Sequence, residues 1–245
     1  TAAVNEQARV FAEALAEAPR MRAEVAASGE TAITRDLAQL ARAQTDINGV
    51  TIDAVLDTGA SYSTITQSEA ERMRLRFLDA HVTVGSSTGD ADARLAIADT
   101  LTLAGGVFHD VVFIVLPDEA LTFGGGAYKI GAIVGFPVLV ELGRLEFALD
   151  DDQEHLRHRR STRHAQPNMI LDGLQPVAEV EAPSANATLV MIIDTGARRT
   201  GFSMQAARDF PALVEGADTR TTTLGGAGGE ITHEDALAIA SLTIN

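Results

Sequence analysis

The sequence predicts a mainly β protein of two related lobes behind an N-terminal α-helical segment, and three observations predict it. Asp57-Thr58-Gly59-Ala60 recurs as Asp194-Thr195-Gly196-Ala197. Each copy follows an apolar run, Val55-Leu56 in the first and Val190-Met191-Ile192-Ile193 in the second. Similar segments then follow both copies in the same order. At ordinary residue frequencies one given four-residue word is expected about 0.003 times in a chain this long. Two copies with matching flanks point to duplication.

Residues 1–45 are read as the helical segment. They are rich in Ala, Glu and Arg, with Val4, Ala8, Phe11 and Leu15 at helical spacing. Pro19 and Gly29 divide the segment into two or three pieces, the last carrying Leu37, Leu40 and Ala41. From Ile47 the texture changes to β-branched residues and turns. Residues 46–150 are read as the first lobe. Asn48-Gly49 is a hairpin signal, and Val50–Leu56 reads as a strand running into Asp57.

After the first tetrapeptide a helix is expected over 67–76. Thr83-Val84-Gly85 then opens the Gly-rich loop Gly85-Ser86-Ser87-Thr88-Gly89. Leu95–Ala98, Leu101–Leu103 and the strand-like run Val111–Leu116 lead to Ile133-Val134-Gly135-Phe136-Pro137-Val138-Leu139. Residues 151–168 are read as a connector, polar and mixed in charge. Its His155, His158 and His164 stand among arginines, whose charge disfavours a metal site, so a solvated linker is expected.

Residues 169–245 are read as the second lobe. Strand texture resumes at Met169–Leu171, Val177–Val180 and Leu189–Ile193, and a helix is expected over 204–210. Thr223-Leu224-Gly225 opens a second Gly-rich loop, Gly225-Gly226-Ala227-Gly228-Gly229. Leu237–Ala240 and Leu242–Ile244 then match Leu95–Ala98 and Leu101–Leu103. The copies are offset by 137, 140 and 142 positions at Asp57, Gly85 and Leu95, which needs only short insertions. A repeat this long is a pair of domains, not a solenoid. The second half stops before a counterpart to Ile133–Leu139, so its lobe is expected to be C-terminally incomplete.

Composition narrows the function classes. Apolar residues make up 46% of 245, enough for a core, and no run has the uninterrupted length of a membrane span. The absence of Cys removes disulfides, thiol catalysis and thiolate metal sites. A formal charge of −15 argues against nucleic acid, whose phosphates need clustered Lys and Arg. Turn chemistry alone explains neither identical words nor matching approach strands. Phosphotransfer on an aspartate of the haloacid dehalogenase type would want a second Asp two residues on, where Gly59 and Gly196 stand. Neither Gly-rich loop ends in the Lys-Ser/Thr of a phosphate-binding loop.

The pattern resembles the retropepsin-like aspartic proteases, relatives of pepsin. The first half carries three matching parts: Leu56–Ala60, Gly85–Gly89 and Ile133-Val134-Gly135-Phe136. The second carries two, Ile193–Ala197 and Gly225–Gly229, and the resemblance spans roughly residues 46–245. It is closest to bacterial members with two units in one polypeptide. It implies two acid-protease-like β lobes related by a pseudo-twofold axis, no cofactor and no metal. It also implies an extended polypeptide substrate and a monomer with pseudo-dimer lobes. A periplasmic or secreted location fits the family's bacterial members.

By the same resemblance Asp57 and Asp194 would form a catalytic dyad that activates water. Thr58 and Thr195 would bond across the lobes, while Gly59, Ala60, Gly196 and Ala197 shape the turns and Ser61 bonds the outer oxygen of Asp57. Gly85, Ser86 and Gly89 would lie at one flap tip, and Gly225, Gly226, Gly228 and Gly229 at the other. Gly135 would pack behind the catalytic loop. Arg198 replaces the expected hydroxyl in the second copy and would favour an ionised Asp194. Two alternatives stand beside this reading. One is a non-catalytic peptide-binding protein of the same fold, and the other a homodimer that pairs Asp57 with Asp57.

Overall fold

The computed structural model describes residues 2–86, 88–150, 152–160, 169–226, 229–237 and 242–244. Helix α1 spans Ala2–Glu17 and stops before Pro19, whose ring cannot continue an intrahelical ladder. The further helical pieces expected up to residue 45 are strands. β1 is Arg22–Glu24, β2 is Ser28–Arg35 and β3 is Ala41–Ile47. Thr31, Ile33 and Thr34 suit a pleated strand, and β2 finds partners on both sides. Pairing of this kind overrides the weak helical preference of an Ala- and Glu-rich stretch.

β3 turns at Asn48-Gly49, both at positive φ, into β4, Val50–Asp57. β5 is Ser63–Thr66, and α2 is Gln67–Arg72, shorter than the helix expected over 67–76. The hairpin of β6, Arg76–Ser86, and β7, Gly89–Leu103, closes with Ser86 opposite Gly89. β8 is Gly106–Leu116, and the short strands β9, Thr122–Phe123, and β10, Tyr128–Lys129, pair with each other. β11, Ala132–Gly135, runs into α3, Phe136–Glu141.

β11 inserts between β4 and β5, parallel to the first and antiparallel to the second. Its register sets Gly135 opposite Asp57. A Cβ on Gly135 would lie 2.6 Å from the Tyr62 carbonyl carbon, so the residue there must be glycine. The sheet runs β2-β3-β4-β11-β5-β8-β7-β6, and β7 also pairs with β3.

β12, Arg144–Asp150, and β13, Gln153–Arg159, form a hairpin that extends this sheet through β2. Residues 153–159 are therefore not the solvated linker expected there. His158 is buried, with Nε2 3.0 Å from the Ala104 carbonyl oxygen. His164 lies outside the described residues.

In the second lobe β14, Met169–Asp172, β15, Gln175–Ala182, and β16, Ala187–Ile192, form an antiparallel sheet. Helix α4, Met204–Asp209, starts at Ser203, whose Oγ accepts the Ala206 amide at 3.1 Å. β17, Asp218–Gly226, and β18, Gly229–Leu237, form a hairpin with Gly226 opposite Gly229. β19, Thr243–Ile244, pairs with β15. Asp46 faces Thr102 in the larger sheet, and Glu181 faces Thr243 in the β14–β16 sheet.

Among the described residues, three apolar clusters hold these layers. The largest lies inside the first lobe around Leu56, Phe108, Phe113 and Val134. A second joins α1 to the β6–β7 hairpin, Val55 and Ile133. The third and smallest, around Ala182, Leu189 and Leu213, sits in the second lobe. No helix among the described residues is long and apolar enough to cross a membrane.

Candidate active site

Asp57 ends β4, and Asp194 follows β16 by two residues. Both enter a tight turn closed by the amide of the third residue on: Ala60 N donates to Asp57 O at 3.4 Å, and Ala197 N to Asp194 O at 3.3 Å. Inside each turn the aspartate takes a backbone donor. Gly59 N lies 2.8 Å from Asp57 Oδ1, and Gly196 N lies 2.8 Å from Asp194 Oδ1. Asp57 Oδ1 also accepts Ala60 N at 3.2 Å.

Four hydrogen bonds between the two threonine-bearing turns bring the aspartates together. Thr58 N donates to Thr195 Oγ1 at 3.0 Å, and Thr195 N donates to Thr58 Oγ1 at 3.0 Å. Each hydroxyl then donates to the carbonyl before the opposite aspartate, Thr58 to Ile193 and Thr195 to Leu56, the latter at 2.9 Å. The exchange is reciprocal and leaves neither hydroxyl unpaired. Gln175, at the start of β15, adds a cross-lobe bond from Nε2 to the Gly59 carbonyl at 3.1 Å.

The same approach explains the glycines. A Cβ on Gly59 would sit 2.4 Å from Asp194 Cγ, and one on Gly196 would sit 2.4 Å from Asp57 Cγ. Each glycine therefore leaves room for the carboxylate of the other lobe. The carboxyl groups share a hydrogen bond, and the Asp57 carboxyl is pushed up to about 7. Burial is the main cause, followed by the Asp194 charge and that hydrogen bond, while the Gly59 and Ala60 amides oppose the rise. Asp57 is half-buried and Asp194 exposed, so the pair is asymmetric.

Not every expected contact forms. Ser61 is half-buried; the Gly59 and Ala60 amides hold Asp57 Oδ1, and no bond from the Ser61 hydroxyl to Asp57 is seen among the described residues. Arg198 is exposed and makes no ion pair with Asp194 among the described residues.

Gly85, Ser86 and Gly89 lie at the tip of the β6–β7 hairpin, and Gly225, Gly226 and Gly229 at the tip of β17–β18. Gly228 falls outside the described residues. The second hairpin leans on the first lobe, where a Cβ on Gly225 would lie 3.1 Å from the Phe123 ring. Sequence reasoning missed Phe123, Gln175 and Tyr62. Phe123 sits in a stretch with no periodic pattern, and Gln175 is a lone polar residue opening a strand. Tyr62, five residues after Asp57, is the one of the three that position could have suggested.

Comparisons with known proteins bear on this arrangement. Residues 43–138 match a family model described as aspartyl protease. A search of curated proteins returns no match. Among solved structures, a retropepsin-like aspartic protease from Rickettsia conorii matches at 19% identity and a TM-score of 0.39. That alignment covers 57% of this chain and 96% of the other. The family match spans β4, the Asp57 turn, the first hairpin and the Gly135 segment.

Proposed function

We propose, from the match of residues 43–138 to the aspartyl protease family, that this chain is an aspartyl protease in which Asp57 and Asp194 act as one catalytic pair contributed by the two lobes. The observation that carries this reading is the reciprocal Thr58–Thr195 exchange, which holds the two carboxyl groups within hydrogen-bonding reach.

Two carboxyl groups this close share one proton, since both cannot ionise cheaply. The ionised member takes a proton from water as the water oxygen attacks a peptide carbonyl carbon. The protonated member donates to the carbonyl oxygen, giving a neutral tetrahedral diol. Collapse of the diol breaks the C–N bond as the ionised carboxylate takes a proton from a diol hydroxyl and the protonated carboxyl gives its proton to the leaving nitrogen. The pair ends with the single proton it started with. Polypeptide would enter as an extended strand beneath the hairpin tips at Ser86–Gly89 and Gly226–Gly229.

Pairing Asp57 with Asp57 of a second copy would require the Thr58 bonds to Thr195 and Ile193 to be given up. That cost favours the intrachain pair. The test is hydrolysis of an unfolded protein across pH 3–8 by the parent chain and by Asp57→Asn. Acid-favoured cleavage that the substitution removes supports the reading. Undiminished cleavage by Asp57→Asn refutes it.

A further inference from the structure

Among the described residues Asp57 takes two backbone donors on Oδ1 and Asp194 takes one. Gly59 N and Ala60 N lie 2.8 and 3.2 Å from Asp57 Oδ1, whereas Asp194 Oδ1 accepts Gly196 N at 2.8 Å. The Ala197 amide goes to the Asp194 backbone oxygen instead. The difference between the two turns lies at one peptide group, which holds the Gly59 carbonyl at one end and the Ala60 amide at the other. That group is planar, so a hold on its carbonyl fixes where its amide points.

Gln175 supplies that hold. Its Nε2 donates to the Gly59 carbonyl at 3.1 Å, and the Ala60 amide across the same peptide group donates to Asp57 Oδ1. Hydrogen bonds in series polarise one another, so Gln175 strengthens the Ala60 donor as well as aiming it. The Ala60 amide has a competing acceptor, the Asp57 backbone oxygen at 3.4 Å. Gln175 is itself placed by the second lobe. It opens β15, and the next residue, Pro176, accepts the amide of Ile193, the neighbour of Asp194, at 2.8 Å. Val177 faces Ile192, as Arg42 faces Val55 in the first lobe. The residue placed before Arg42 as Gln175 is before Val177 is Leu40, whose side chain carries no donor. Among the described residues no side chain bonds the Gly196 carbonyl, so the Gln175 bond has no partner on the Asp194 side.

We infer that Gln175 is a positioning residue of the acid pair, which aims the Ala60 amide at Asp57 and so makes the two aspartates unequal. The inference rests on the protease reading above. A better-aimed donor favours the ionised form of Asp57, and the second lobe thereby helps to set the proton on the first lobe's acid. Burial and the Asp194 charge raise the Asp57 carboxyl, and the Gly59 and Ala60 amides oppose them. Other titratable groups stand nearby. Tyr62 follows the first turn, Arg198 and Arg199 follow the second, and Asp172 on β14 is paired opposite Gln175. β11, beside β4, brings only apolar residues and glycine. The charge that acts on Asp57 is that of Asp194.

The test uses the full chain. Gln175→Met keeps the length of the side chain and removes the donor. Gln175→Asn shortens the side chain so that its amide falls short of the Gly59 carbonyl, and it serves as the milder variant should the first fold poorly. Losing a donor disfavours the carboxylate, so Asp57 should hold its proton to higher pH. The alkaline limb of kcat/KM, set by that proton at about 7 in the parent, should move up by about half a pH unit, a roughly threefold gain in proton affinity. Lost packing alone would lower kcat/KM at every pH and leave the limb in place. A limb at the same or lower pH in the folded variants overturns the inference.

Carboxyl-carbon NMR separates this inference from the protease reading. In chains made with isotope-labelled aspartate, the signal that Asp57→Asn removes reports the Asp57 proton with no substrate present. Its titration midpoint should rise in Gln175→Met by the same amount as the limb of the pH profile. That rise without cleavage in any chain sinks the protease reading and leaves the positioning role standing. An unchanged or lower midpoint in a parent that cleaves sinks the positioning role alone.

Discussion

Thr58 and Thr195 each accept the other's backbone amide at 3.0 Å, although 137 residues separate them in sequence. This exchange couples the two lobes at the point where the carboxyl groups meet. Removing either hydroxyl deletes two of the four bonds and strands the amide and carbonyl it served. Thr58→Ala and Thr195→Ala should each lower stability by about 2 kcal/mol, at roughly 1 kcal/mol per bond lost. Each should also reduce cleavage. Thr→Ser at the same position keeps the hydroxyl and should recover most of both, as read by urea denaturation and by kcat/KM.

The glycines of the two turns give a sharper separation of stability from activity. Gly196→Ala directs a methyl group at the Asp57 carboxyl from 2.4 Å, and Gly59→Ala does the same to Asp194. Either carboxyl must move, which breaks the shared hydrogen bond. Cleavage should fall by about a hundredfold or more, as displacements near 1 Å do at catalytic groups. The core of the first lobe does not include this contact, so circular dichroism of the folded sheet should be unchanged.

Gly135→Ala should behave in the opposite way. Its Cβ would meet the Tyr62 carbonyl carbon at 2.6 Å and the Ser63 amide nitrogen at 2.8 Å, and backbone cannot swing aside as a side-chain tip can. The parallel register between β11 and β4 would be strained directly. A loss of about 3 kcal/mol is expected, at the upper end of ordinary overpacking costs. Thermal unfolding is the measurement, and the melting temperature should drop well below that of Thr58→Ala.

The proton on the pair sets the pH dependence. The Asp57 carboxyl is raised from its ordinary value near 3.8 to about 7, so the folded state binds a proton more tightly than the unfolded chain does. Its stabilising contribution is therefore fully present below about pH 4 and is lost as pH rises towards 7. Cleavage should fall over the same upper range, because the proton needed for the carbonyl oxygen is gone. Asp57→Asn should remove this component from a plot of melting temperature against pH, leaving only the effect of the remaining charges.

Much of this site was legible because it rests on short words with strict geometry. Asp57, Thr58 and Gly59 meet Asp194, Thr195 and Gly196, all members of the repeated tetrapeptide, and the described residues of the two Gly-rich loops close hairpins. Gly135 was legible for the same reason, since a residue opposite Asp57 in register leaves no room for a side chain.

Ala, Glu and Arg dominate residues 22–45 and predict helix, but the partner strands β8, β13 and β4 draw Arg22–Glu24, Ser28–Arg35 and Ala41–Ile47 into sheet. His158 reads as an exposed polar residue between arginines, yet the sheet buries it against Ala104. Contacts of this sort depend on which distant segments arrive alongside, and local composition carries no trace of them.

Cleavage by the single variant Asp194→Asn tests the intrachain pair most directly, because Asp194 lies outside the 43–138 family match and only the two-lobe account makes it indispensable. The account predicts a loss of about a thousandfold or more, on the scale seen when one member of a cooperating catalytic set is removed, equal to the loss in Asp57→Asn. A folded Asp194→Asn chain that cleaves as fast as the parent, while Asp57→Asn remains inactive, would contradict it.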